Sequence, residues 1–109
     1  MAADSQQRTT LNIITTPAEI IIIPGEADLY HDLAIVTVCN TSNKDVRVDI
    51  REVLGGPVIF DVFAPATTMG SFSIPLSALI HHVIGGDWTA TSVSQTIDIR
   101  VFCVYYTRA

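Results

Sequence analysis

Four consecutive isoleucines, Ile20–Ile23, run into Pro24-Gly25. Side chains branched at Cβ are stiff and crowd the turns of a helix, so such a run is an extended strand, and a continuous one suits burial on both faces. The Pro-Gly step then closes it with a turn. The same grammar repeats along the chain. Strands are predicted over Leu11 to Thr16, Ala18 to Ile23, Leu29 to Asn40, Val46 to Val53, Val58 to Phe63, Ser71 to Ile74, Trp88 to Val93 and Thr96 to Thr107. Between them lie Pro17, Pro-Gly-Glu-Ala-Asp, Thr-Ser-Asn-Lys-Asp and Gly55-Gly56-Pro57, all turn chemistry.

Seven to eight short strands at near-regular spacing predict an all-β fold, an antiparallel β-sandwich or barrel. No segment is long enough for the helix of a parallel crossover. The only helix-like spacing is in Pro75 to Ile84, with Leu76, Leu79, Ile80, Val83 and Ile84 apolar. One or two turns of helix, or a loop tucking in its apolar side chains, both satisfy it. With 109 residues the chain fits one domain. Residues 1–10 are polar and without period, which predicts a flexible arm. Residues 11–109 form the sandwich.

Two strands say how they sit. In Val46 to Val53, Val48 and Ile50 alternate with Arg47, Asp49 and Arg51, the pattern of a half-buried strand whose charges face water and pair with neighbours. In the last strand one face is Ile97, Ile99, Val101, Cys103 and Tyr105. The other starts polar at Asp98 and Arg100, then turns apolar at Phe102, Val104 and Tyr106. A strand apolar on both faces is covered by a loop or by another subunit.

Composition favours the subunit. The chain is 49% apolar and only 16% charged, against about 25% charged in ordinary soluble domains. Too little charge is available to coat a solitary small protein, so association with other chains is expected. The expected contact surface is Arg8, Leu11 and Ile13 near the N-terminus with Phe102, Val104 and Tyr106 on the last strand. The charge complement argues against other partners: net charge is −5, and Arg8, Lys44, Arg47, Arg51, Arg100 and Arg108 are scattered. Binding to phosphate backbones or anionic lipid needs clustered cations, so neither nucleic acid nor a membrane is expected as a partner. No apolar run reaches the roughly 20 residues that span a bilayer, and Met1 to Thr10 lacks the apolar stretch of a signal peptide.

Residue types that carry chemistry are present without the spacing that chemistry needs. His31, His81 and His82, with Cys39 and Cys103, form no metal-binding spacing, and adjacent His81 and His82 point to opposite faces of a strand. They are read as structural, or as facing solvent or a subunit contact. Both cysteines fall inside strands and read as buried free thiols, unless their strands are neighbours and the two pair. No Gly-x-Ser-x-Gly elbow exists. Asp28, Asp32, Asp49, Glu52, Asp61, Asp87 and Asp98 are dispersed, mostly on the outer faces of strands. Gly55-Gly56 and Gly85-Gly86 open no helix and carry no P-loop lysine. No enzyme, cofactor or metal is expected.

The order of features carries a resemblance. An apolar strand ending in Asn (LAIVTVCN), the TSNKD turn, the alternating VRVDIREV, Gly-Gly-Pro, the SFSIPL step, Trp88 and a closing IDIRVFCVYY follow one another from Ala18 to Tyr106. This order resembles small β-sandwich virion proteins of tailed bacteriophages. The resemblance implies a virion structural protein assembled in the host cytoplasm. Its most direct form is a capsid decoration protein contacting its own copies and a capsid or tail protein. The alternative it allows is a tail or neck module that binds a receptor or glycan. The long, apolar stretch Leu76 to Ile84 departs from a plain hairpin and leaves strand order there open.

Overall fold

The computed structural model describes residues 6–15, 17–40, 44–66, 71–93 and 99–109, with 71–78 described by backbone alone. Eight strands follow in order: β1 (Gln7–Ile14), β2 (Ile20–Ile23), β3 (Tyr30–Asn40), β4 (Val46–Arg51), β5 (Val58–Ala64), β6 (Ser71–Leu79), β7 (Trp88–Ser92) and β8 (Ile99–Arg108). They form two four-stranded antiparallel sheets, β1-β8-β3-β6 and β2-β7-β4-β5. The fold is therefore an all-β sandwich, as the turn spacing implies.

Alternation builds the core. In β8, Ile99, Val101, Cys103 and Tyr105 point between the sheets and are buried; in β4, Val46, Val48 and Ile50 do the same from the opposite side. Trp88 on β7 is fully buried, and its indole N–H donates to the carbonyl of His31 on β3 at 2.7 Å, joining the two sheets. A buried indole needs such a partner. Each large core side chain contributes about 1.5–3 kcal/mol by leaving water. In β3 the register shifts between Leu33 and Ile35, so the buried row passes from His31 and Leu33 to Val36, Val38 and Asn40. The Asn40 amide closes the far end, donating to Lys44 O and Ala64 O, both at 2.9 Å.

Three sequence expectations change. The isoleucine run is not buried on both faces. It is a sheet edge, so Ile22 and Ile23 reach the core while Ile21 is exposed. The helix-like stretch from Pro75 is strand to Leu79 and loop beyond it, with Ile80, Val83 and Ile84 exposed. Pro75 stands inside β6 because β6 is also an edge, where a missing N–H breaks no ladder. Finally, Gln7–Thr10 of the expected arm pair with Cys103–Tyr106 as strand, while residues 1–5 lie outside the described residues.

Candidate interaction face

The ladder between β1 and β8 sets the outer face of the first sheet. Leu11 lies opposite Phe102, Thr9 opposite Val104, Gln7 opposite Tyr106, and Ile13 opposite Arg100. On the other side of β8, Ile35 of β3 lies opposite Val104 and Thr37 opposite Phe102. Leu11 is 61% exposed, Ile13 49%, Phe102 38% and Tyr106 37%, whereas Val104 is buried among these neighbours. Five of the six expected contact residues thus share one face. Among the described residues of β1 and β8, Arg100 is the only charged side chain on it short of the Arg108 end.

Arg8 does not join them. It faces Tyr105, whose side chain is on the inner row, and pairs with Glu26 of the turn before β3. Glu26 Oε1 also lies 3.3 Å from Nε2 of buried His31, whose ring packs 4.8 Å from that of Tyr105. Neither ring nitrogen of His31 has a well-aligned hydrogen-bond partner. Burial pushes the His31 pKa below its ordinary 6.5, with Glu26 opposing the shift and Arg8 adding to it. Beside this cluster, buried Asp32 accepts from Arg108 Nε at 2.7 Å and from the His81 backbone N–H at 3.1 Å. The Arg108 guanidinium also sits 4.2 Å over the Tyr30 ring. Sequence reading missed both ion-pair clusters, because their members are far apart along the chain.

The adjacent histidines separate. His82 is exposed and binds Glu52 at 2.8 Å. The buried His81 ring sets Nε2 2.8 Å from the carbonyls of both Glu52 and Asp87, while Nδ1 accepts the Val83 N–H at 3.0 Å. Two carbonyl partners require the proton on Nε2. Gly86 leaves room for the ring, since a Cβ there would stand 2.2 Å from His81 Cε1. The imidazole therefore staples the β4–β5 loop to the β6–β7 loop. A shallow recess of about 270 Å³ between them is walled by Val53, Leu54 and Val83. With both ring nitrogens of His81 committed, no metal-binding grouping of His, Cys, Asp or Glu exists among the described residues.

Cys39 and Cys103 are free. Cys103 points into the core, where burial pushes its thiol up to about 12. Cys39 lies opposite Arg100, on the outer row. Side chains on opposite faces of a sheet cannot bond to each other, so the pairing left open by the sequence does not form.

No protein-family model matches the chain, and no curated protein matches its sequence. Solved structures do share its architecture. The tobacco streak virus coat protein overlaps with a TM-score of 0.55 at 8% identity, covering 100% of this chain and 89% of that one. A dimer of that coat protein gives 0.53 at 8% identity, with 98% and 85% covered. A looser overlap, 0.46 at 12% identity over 96% and 88%, is with the disulfide-linked pili of Bacillus endospore appendages. At these identities the likeness is one of fold. It agrees with the β-sandwich expectation and does not single out tailed bacteriophages.

Proposed function

We propose that the chain is a non-enzymatic structural subunit of a virion, holding to copies of itself through the outer face of the β1-β8-β3-β6 sheet. The observation that carries this reading is the exposed apolar row Leu11, Ile13, Phe102 and Tyr106. Contiguous apolar surface of this kind on a small soluble domain marks a contact. The strand order supports it: β1-β8-β3-β6 against β2-β7-β4-β5 is that of a jelly roll, an architecture that viral capsid domains use. The coat-protein overlaps are consistent with it.

Within this reading the role is capsid decoration: a single small domain that binds a shell and its own copies, and so cements the head. Imaging of particles that co-purify with the chain tests this. Density for the chain repeated at symmetric positions over the shell is the expected result. Density confined to a tail or neck, or particles free of the chain, would rule decoration out.

A further inference from the structure

The two sheets present four edge strands, β1, β6, β2 and β5. Open edges invite pairing with other chains, and proteins blunt them with Pro, bulges, charge or shortness. Three of the four are blunted. Strand β6 contains Pro75; β2 has four residues and a register irregularity; β5 has an irregularity and Asp61 on its exposed face. Strand β1 differs. Its eight residues pair with β8 without a shift, and among the described residues no strand lies along its other side. Its one charged residue, Arg8, sits near its start, turned inward and paired with Glu26. Thr9–Ile14 carry no charge at all.

The phase of the ladder fixes which backbone groups face outward. The Thr107 N–H donates to Gln6 O at 2.9 Å, one step beyond the Gln7–Tyr106 pair. In an antiparallel ladder the bonded residues alternate. Even-numbered residues of β1 therefore bond β8, and the N–H and C=O groups of Gln7, Thr9, Leu11 and Ile13 point to the open edge. These same residues carry the outer row of side chains, with Leu11 and Ile13 exposed.

We infer that β1 pairs antiparallel with β1 of a second copy across a two-fold axis at Leu11, making one continuous eight-stranded sheet. In this register Leu11 faces its own image, and Thr9 faces Ile13 of the other copy. Each pair exchanges both backbone hydrogen bonds, because odd residues meet odd residues. The side chains also fall on one side, so Leu11, Ile13 and Phe102 of both copies merge into a single apolar strip. A two-fold contact requires such a self-complementary surface, and an uncharged strip is what two copies of a chain of net charge −5 can bring together without repulsion. The inference rests on the self-association proposed above and places that contact along the β1 border of the outer face. Total burial on the order of 1,000 Å² places the contact at the low end of stable interfaces, so association is concentration-dependent.

Crosslinking tests it in the full chain with Cys39→Ser as background. Leu11→Cys should be bridged between copies by a short thiol–thiol reagent. Phe102→Cys should not, since the two residues lie about 14 Å apart, three strand spacings. Rapid bridging of Leu11→Cys with Phe102→Cys left monomeric is the expected result. Bridging of Phe102→Cys as fast as Leu11→Cys, or an oligomer in which Leu11→Cys is not bridged, overturns the edge contact while leaving self-association standing. A chain that is monomeric at every concentration, including the Cys39→Ser background, overturns both. Bridging of Leu11→Cys only to a different protein replaces the second copy with that partner.

Discussion

Leu11→Asp separates contact from fold. Leu11 is 61% exposed and is not a member of the buried cluster, so its replacement is expected to leave the sandwich folded. Burying a leucine side chain completely is worth about 1.5–3 kcal/mol, and pairing along the β1 edge leaves part of Leu11 on the open face of the merged sheet. Losing about half of that at Leu11 costs about 1 kcal/mol per copy, or about 2 kcal/mol for a two-fold contact. Ordering and rigid-body costs are common to variant and parent, so most of this difference reaches the dissociation constant. Two facing carboxylates add repulsion. The expected weakening is roughly thirtyfold or more. Sedimentation velocity over a concentration series measures it, and thermal unfolding of the same samples, at a concentration where both are monomeric, checks the fold. An unchanged dissociation constant would refute the assignment of this face. Unfolding of the variant would refute the exposure on which the argument stands.

Three further outcomes follow from the geometry. Val101→Asp, one residue from Phe102 but on the inner row, places an unpaired carboxylate in the core at a cost of several kcal/mol; no cooperative unfolding transition is expected for it in calorimetry. His31 is held neutral by burial, so the native chain binds its proton less readily than the unfolded chain. Its contribution is complete above about pH 6.5 and is lost as pH falls through its lowered pKa. Chemical denaturation between pH 7.5 and 5.5 should show this slope, and His31→Gln should flatten it. In a thiol-reactivity assay at pH 8, Cys103 should stay silent until the protein unfolds, because its thiol is buried and titrates at about 12. Half-buried Cys39 should react first.

Much of the sandwich is legible in the chain because branched residues and turn residues alternate so regularly. Val46–Arg51 is the clearest case: its buried Val46, Val48 and Ile50 and its exposed Arg47 are where alternation puts them, whereas Asp49, expected to face water, is buried with Arg47 Nε 3.2 Å from its carboxylate. What is not legible is each strand's place in its sheet. Pro75 reads as a stop, yet an edge tolerates it, and no local pattern says that β6 is an edge. Gln7–Thr10 reads as an arm because polar residues carry no period, but pairing with β8 makes it strand. Arg8 illustrates the limit on the contact face. Arg8 and Leu11 are three residues apart, so alternation sets them on opposite faces once Gln7–Ile14 is a single strand; reading residues 1–10 as an arm hid that relation. The clusters at Glu26, His31, Asp32 and Arg108 are products of the third dimension alone.

Self-association is the property on which the proposed role of this chain stands. The mass of the purified 11.8 kDa chain, followed from low micromolar to millimolar concentration, bears on it most directly. A rise from one copy to a defined multiple, abolished by a carboxylate at position 11, is the expected result. A single unassociated species across the whole range would contradict it.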